Sequence, residues 1–98
     1  TSMTINYGDF VSGYQLNDVY PNPFNPSTTI NFSVSDHMDL SLVIYDMQGR
    51  VVQTLANQTF SPGVYKLNWN AQNLASGIYF AKLSSASYEQ TQKLMLIK

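Results

Sequence analysis

The stretch GVYKLNWNAQNLASGIYFAKLS, residues 63–84, contains two segments in which large apolar side chains recur at every second position. The residues on one side of these segments are Tyr65, Leu67, Trp69, Tyr79, Ala81 and Leu83. Because successive side chains of a strand point to opposite faces, this alternation is the pattern of a strand with one buried face. The stretch therefore predicts two β-strands, over residues 63–70 and 77–84, joined by a short loop over 71–76.

The same alternation recurs along the rest of the chain, broken by turn residues every ~8–12 positions, the spacing of an antiparallel sandwich or barrel. The other predicted strands cover residues 14–19, 28–34, 40–45, 51–56 and 88–97. No window shows the 3.6-residue apolar period of a helix. We therefore predict an all-β, immunoglobulin-like antiparallel sandwich of about seven strands over residues 14–98. Residues 1–13 are interpreted as a linker or cloning remnant.

The core of this sandwich must form without a disulfide bond, because the chain contains no cysteine. An aromatic side chain buries about 150–250 Å², so a handful of them can dominate a core of this size. Trp69 and Tyr79 are the predicted centre of that core. In the last strand, residues 94–97 are all apolar, and the alternation leaves open which pair faces inward.

Two connecting segments carry residues of restricted or unusual conformation. Residues 21–26 read Pro-Asn-Pro-Phe-Asn-Pro, and proline cannot donate to a sheet ladder and holds its predecessor extended. This segment predicts a rigid, ordered crossing loop. Residues 46–50 predict a tight hairpin in which Gly49 takes a positive φ and Asp46 accepts hydrogen bonds from the turn's amides. Gly77 is expected at a positive φ or a close backbone approach.

The composition narrows the classes of partner. Hydrophobic residues make up 44% of the chain, so it is not a disordered tail. The formal net charge of -1 offers no cationic surplus, which argues against nucleic acid and anionic membranes as partners. No apolar run approaches the roughly 20 residues of a membrane-spanning helix, so no transmembrane segment is predicted.

Few residues could support catalysis or metal binding. His37 is the only histidine and Glu89 the only glutamate. A Ser-His-Asp triad would have to be built on His37 alone, and a transition-metal site would need further histidines or cysteines. The sequence also lacks the alternating acidic residues of a calcium loop. We predict a domain that is not an enzyme, with no catalytic residue, no metal and no cofactor.

The tyrosines leave a second function open, because carbohydrate-binding sandwiches stack sugar rings on exposed aromatic side chains. Tyr65, Trp69 and Tyr79 share faces with leucines and are expected in the core. The tyrosines that could be exposed are Tyr14, Tyr20, Tyr45 and Tyr88. A carbohydrate-binding or structural spacer module of a secreted hydrolase is therefore the alternative function.

Four segments, over residues 20–30, 44–50, 74–79 and 93–98, resemble the C-terminal sorting domain family of the type IX secretion system. They also resemble its relative, the immunoglobulin-like domain of flagellar hook-capping proteins. The first segment, YPNPFNPSTTI, is the most specific because of its three spaced prolines. The residues that match the family's motifs are Pro21, Asn22, Pro23, Phe24, Asn25, Pro26, Asp46, Gly49, Arg50, Gly63, Trp69, Gly77 and Tyr79.

The resemblance implies a function that composition cannot show. Domains of this family lie at the C-terminus of exported cargo, engage an outer-membrane secretion translocon, and are commonly cleaved by a surface transpeptidase. The implied partners are that translocon, that transpeptidase and the N-terminal cargo domains of the same polypeptide. The implied route leads through the periplasm to the cell surface or the extracellular medium.

The last strand is the candidate sorting signal. Its residues are Lys93, Leu94, Met95, Leu96, Ile97 and Lys98, with Lys98 expected to be the native C-terminus. An apolar strand with basic ends could be read by strand addition or by a pocket for the basic end. A final strand that closes a sandwich is also apolar for packing alone, and the sequence leaves these interpretations open.

Overall fold

The computed structural model describes residues 13–86 and 88–98 of the chain. All regular elements over these residues are strands, which confirms the predicted number of seven. The strands are β1 (Tyr14–Tyr20), β2 (Ser27–Val34), β3 (Met38–Tyr45), β4 (Val51–Phe60), β5 (Gly63–Asn70), β6 (Gly77–Ser84) and β7 (Glu89–Leu96). Within the described ranges, no helix is long and apolar enough to cross a membrane.

The strands form two antiparallel sheets. One sheet has the order β1-β2-β5 and the other the order β4-β3-β6-β7. Three connections, β2 to β3, β4 to β5 and β5 to β6, therefore pass from one sheet to the other. This arrangement confirms the predicted immunoglobulin-like sandwich.

The core lies between the inner faces of the two sheets, where the predicted alternation is found. In β3, Leu40, Leu42 and Ile44 are all buried, and Ala81 and Leu83 of β6 lie among them. Trp69 is 1% exposed, as predicted. Its ring centroid lies 5.4 Å from that of Phe24 and 5.7 Å from that of Tyr79, so aromatic packing connects the two sheets.

One tyrosine that the sequence left as possibly exposed is fully buried. Tyr14 lies opposite Val34 on the inner side of β1, and its hydroxyl donates to the Tyr88 carbonyl. Tyr14 can be buried because β1 packs beside β7, where its hydroxyl finds an acceptor. Tyr65, expected in the core, is only half-buried and stacks on Phe32.

The fourth strand is longer than predicted. The alternation suggested residues 51–56, whereas β4 extends to Phe60. Its register against β3 shifts twice, leaving Val52 and Leu55 without partners in β3. Both side chains pack against the core. The residues that the prediction missed, from Asn57 to Thr59, are polar and exposed, so this part of β4 carries no apolar alternation that could mark it as a strand.

Candidate functional site

The C-terminal strand has one face in the core and one in solvent. Leu94 and Leu96 are fully buried, whereas Met95 is half-buried and Ile97 is 49% exposed. The structure therefore shows that Leu94 and Leu96 face the core, a choice that the sequence alternation could not make. Because β7 pairs with β6 along its whole length, its buried residues have a packing role. The side chains available to a partner are Lys93, Met95, Ile97 and Lys98.

The proline-rich loop lies along the outer edge of β7. The Phe24 amide donates to the Met95 carbonyl at 2.9 Å, and the Ile97 amide donates to the Phe24 carbonyl at 2.9 Å. These bonds form a parallel bridge between Phe24 and Leu96. The Phe24 ring is buried against Trp69, so the loop is anchored in the core. The loop is therefore ordered, as predicted, but it joins two neighbouring strands of one sheet and does not cross to the other; instead it pairs with the last strand of that other sheet.

The side chain of Asn22 continues the loop's pairing with β7 toward Lys93. Its Nδ2 donates to the Lys93 carbonyl at 2.9 Å, and its Oδ1 accepts from the Met95 amide at 3.0 Å. A carboxamide carries the same donor and acceptor as a peptide group, so it can stand in for a strand residue. The buried Thr28 hydroxyl fixes the loop's start by donating to the Pro21 carbonyl at 2.6 Å.

A second carboxamide joins the other end of β7 to β1. Gln90 Oε1 accepts from the Leu16 amide at 2.6 Å, and Gln90 Nε2 donates to the Tyr14 carbonyl at 3.3 Å. Sequence reasoning missed this residue, because a glutamine in a strand carries no local sign of a partner 74 positions away. Gln90 and Asn22 together connect β7 to the sheet across from it.

The basic end of the chain makes contacts of its own. The Lys98 amide donates to Ser76 Oγ at 3.1 Å, and Lys98 Nζ donates to the Gln72 carbonyl at 2.6 Å. Ser76 and Gln72 belong to the loop between β5 and β6. The Ala71 amide in that loop donates to the Pro26 carbonyl at 2.9 Å. The C-terminus, this loop and the proline-rich loop therefore meet at one end of the sandwich.

The predicted hairpin between β3 and β4 has the expected geometry. Gly49 has φ 84°, and Asp46 Oδ1 accepts from the amides of Gln48 and Arg50, each at 2.9 Å. The Arg50 Nε donates to Asp46 Oδ2 at 2.9 Å. The Arg50 backbone amide is the largest of the causes that lower the pKa of Asp46; the Arg50 guanidinium and the Gln48 amide also contribute. The hairpin borders a groove of about 240 Å³ that Ser76 helps to line.

All four segments that carry the family resemblance are thus neighbours in space, although they are far apart in the sequence. The loop over 21–26 pairs with β7, the end of β7 contacts the loop before β6, and the 46–50 hairpin lies beside the start of β6. The motif positions Gly63 and Gly77 open β5 and β6 with φ of 158° and 155°. Within the motifs, Tyr79 donates from its hydroxyl to the Ala75 carbonyl at 2.7 Å.

The residues considered for metal binding and for sugar binding can be placed in the part of the chain that the structure describes. His37 Nε2 lies 3.3 Å from Ser61 Oγ, and no group of at least three His, Cys, Asp or Glu side chains is placed to hold a metal ion across 13–86 and 88–98. Of the tyrosines considered for sugar binding, Tyr20 is 76% exposed, Tyr88 is exposed and Tyr45 is half-buried.

The fold is similar to part of a larger protein of known structure. The crystal structure of dimeric latent PorU from Porphyromonas gingivalis superimposes with a TM-score of 0.62 at 16% sequence identity. The superposition covers 86% of this chain and 9% of the PorU chain. At this identity the likeness supports the fold alone. No curated protein matches the sequence.

A sequence profile connects the chain to a family. The profile described as "Secretion system C-terminal sorting domain" matches residues 18–98, a range that contains all four of the convergent segments. The chain therefore belongs to the secretion system C-terminal sorting domains, the signals that target proteins for type IX secretion to the cell surface or the extracellular space.

Proposed function

We propose that the outward side chains from Lys93 to Lys98 form the part of the sorting signal that an outer-membrane translocon reads on the folded domain. The observation that carries this proposal is the pairing of β7 with Asn22 and Phe24. That pairing holds the C-terminal strand in a fixed register, so its exposed side chains keep defined positions. A signal held in this way is available for recognition without unfolding.

The rest of the polypeptide and its route complete the proposal. Residues 14–98 form the sorting domain, and the cargo domains precede it in the same polypeptide. The cargo passes through the periplasm, and after export a surface transpeptidase acts on it. The domain itself is non-catalytic, in keeping with a family of targeting signals.

Secretion of a passenger tests the sorting function. Residues 12–98 are fused to a fluorescent protein that carries an inner-membrane export signal, in a bacterium with the type IX machinery. We expect fluorescence at the cell surface or in the medium. A fusion that never leaves the periplasm would refute the sorting function for this chain.

The role of the terminal side chains needs point substitutions, because deleting residues 93–98 would also remove the buried Leu94 and Leu96. The variant Lys93→Glu/Ile97→Glu changes only exposed positions of this segment. The matched control is Lys66→Glu/Val64→Glu on β5, where both side chains are also exposed. We expect the first variant to stay periplasmic and the control to be secreted. Equal secretion of both would reduce the terminal strand to a packing element.

A further inference from the structure

The two sheets present outer faces of different chemistry. Outward positions of the β1-β2-β5 sheet are mostly polar, and include Thr29, Asn31, Ser33, Lys66 and Asn68. On the other sheet, the positions that alternate with the core include five apolar side chains, each of them half-buried: Val43, Tyr45, Ile78, Phe80 and Met95. An antiparallel sheet that only faces water has a polar outer side. A contiguous apolar group there marks a contact surface.

These five side chains, here called the apolar face, are neighbours across three strands. Tyr45 lies opposite Phe80, and Ile78 lies opposite Met95. The face continues to the 46–50 hairpin, whose Met47 is 66% exposed. Between the hairpin and the sheet is a groove of about 270 Å³, lined in part by Tyr45, Met47 and Phe80. The face therefore offers a concave apolar site beside β7.

Two lysines border this surface, and the carboxylate that lines its groove, Asp46, is already paired with Arg50. Lys82 Nζ lies 4.8 Å from the Tyr45 ring centroid and 3.7 Å from Glu89 Oε1. Lys93 is exposed directly across from Phe80, and no acidic group lies within ion-pair distance of it among the described residues. A carboxylate on a partner would therefore find an unpaired ammonium next to the apolar face.

The edge of β7 is a poorer place for recognition than this face. The carbonyl of Lys93, both backbone groups of Met95 and the amide of Ile97 already bond to Asn22 and Phe24. Strand addition along this part of β7 would have to displace a loop anchored by a buried ring. A partner can therefore contact these terminal residues only through their side chains. Among them, Met95 belongs to the apolar face and Lys93 lies at its border.

We infer that the secretion machinery docks on the apolar face with a protein surface that presents apolar side chains next to carboxylates. This inference rests on the proposed function and names the surface and the partner chemistry that it requires. Recognition by the secretion machinery follows from the family, and the apolar face with the unpaired Lys93 at its border is complementary to such a surface.

The apolar contribution is tested with Ile78→Thr/Phe80→Thr, because threonine keeps strand propensity and removes apolar surface. The control is Val64→Thr/Tyr20→Thr, one aliphatic and one aromatic residue on the other sheet that are 71% and 76% exposed. Because Ile78 and Phe80 are half-buried, thermal melting of both purified variants establishes that the domain is folded before secretion is compared. Truncating interface anchors commonly weakens binding about thirtyfold or more, so we expect secretion of the first passenger to collapse. Normal secretion of Ile78→Thr/Phe80→Thr would overturn the inference.

The charge contribution is tested with substitutions that leave the apolar side chains in place. Lys82→Glu/Lys93→Glu should abolish secretion, whereas Lys82→Arg/Lys93→Arg should preserve it. Purified variants are compared by circular dichroism and thermal melting, and only those that melt as the unaltered chain does enter the comparison. If the glutamate variant melts normally and is secreted normally, the acidic partner surface is wrong.

The identity of the partner is tested by a photoreactive amino acid at Phe80 in the secreted fusion. A cross-link to an outer-membrane component of the secretion apparatus, absent when the probe replaces Thr29, is the expected result. A cross-link to a second copy, to the passenger or to lipid would overturn the inference. A fusion that is not secreted even without substitutions contradicts the proposed function, whereas normal secretion of Ile78→Thr/Phe80→Thr contradicts this inference alone.

Discussion

Asn22 pairs with β7 through its side chain in the way that a strand residue pairs through its backbone. Its two bonds, to the Lys93 carbonyl and the Met95 amide, join residues more than 70 positions apart. The sequence could mark Asn22 as part of a rigid loop, since the prolines beside it restrict the backbone locally. It could not identify the bonding partners, because no local pattern encodes a contact over such a separation.

Replacing Asn22 with aspartate should destabilise the domain. The substitution keeps an acceptor for the Met95 amide but places a carboxylate oxygen against the Lys93 carbonyl in place of a donor. A lost hydrogen bond costs about 0.5–1.5 kcal/mol, and we expect a loss of free energy of unfolding of about 1 kcal/mol. Urea denaturation measures it, with the exposed Asn25→Asp as control. Equal midpoints for the two variants would contradict the pairing.

Gly49 is required by the backbone of the 46–50 hairpin. At φ 84° an L side chain is strained, although a Cβ there would have no atom within 4 Å. Gly49→Ala should therefore cost about 1 kcal/mol for conformational reasons alone. Gly49→Asn should cost less, because asparagine tolerates left-handed conformations better than alanine does. Thermal melts compare the two variants, and an unchanged melting temperature for Gly49→Ala would refute the assigned turn.

Asp46 should make stability depend on pH in the acid range. Its pKa is lowered in the folded state, first by the Arg50 backbone amide, so the folded state favours the ionised form. This stabilisation is complete above the unfolded pKa of about 3.9 and is lost as the pH falls through the lower folded value. Asp46→Asn removes the titration. The stability difference between the two chains should therefore shrink below about pH 4 in denaturation series; a constant difference would contradict it.

At the scale of the elements, alternation was enough to predict the faces of β2, β3, β5 and β6, because in these strands polar and apolar residues are clearly separated. It failed for β7, where four consecutive apolar residues satisfy either face. Which residues of β7 face the core is set by its pairing with β6. Leu96 lies opposite Gly77 and Leu94 opposite Tyr79, and both leucines are buried. Alternation also predicted too short a β4, because residues 57–59 at its far end are polar and exposed.

The two faces of β7 should respond differently to truncation. Leu94 is fully buried, so Leu94→Ala should cost about 2–5 kcal/mol through lost contacts and a cavity. Met95 is half-buried on the outer side, so Met95→Ala should cost clearly less. Chemical denaturation of both variants gives the ranking. A larger loss for Met95→Ala would mean that the register of β7 against β6 is displaced by one residue.

At the scale of the whole molecule, four separated motifs meet at one end of the sandwich, around the C-terminal strand. The sequence predicted the sandwich and supplied the motifs, but their convergence is a property of the topology. β7 lies at the edge of the four-stranded sheet, and the loop over 21–26 enters from the other sheet to cover that edge. The proposed signal and the fold therefore share one strand, in which buried side chains serve stability and outward ones are available for recognition.

Because the last strand is also part of the core, we predict that deleting residues 93–98 abolishes cooperative folding. The truncation removes Leu94 and Leu96 from the core, and each buried leucine contributes about 2–5 kcal/mol. It also removes the partners of Phe24, whose ring covers Trp69. Together these losses approach the 5–15 kcal/mol of total stability that is typical of a small domain. The emission of Trp69 should shift to the red and the melting transition should disappear, whereas the chain lacking only Lys98 should keep both. A blue emission maximum and a cooperative melt in the chain ending at Gln92 would show that β7 is dispensable for folding, and would make its deletion a clean test of the signal alone.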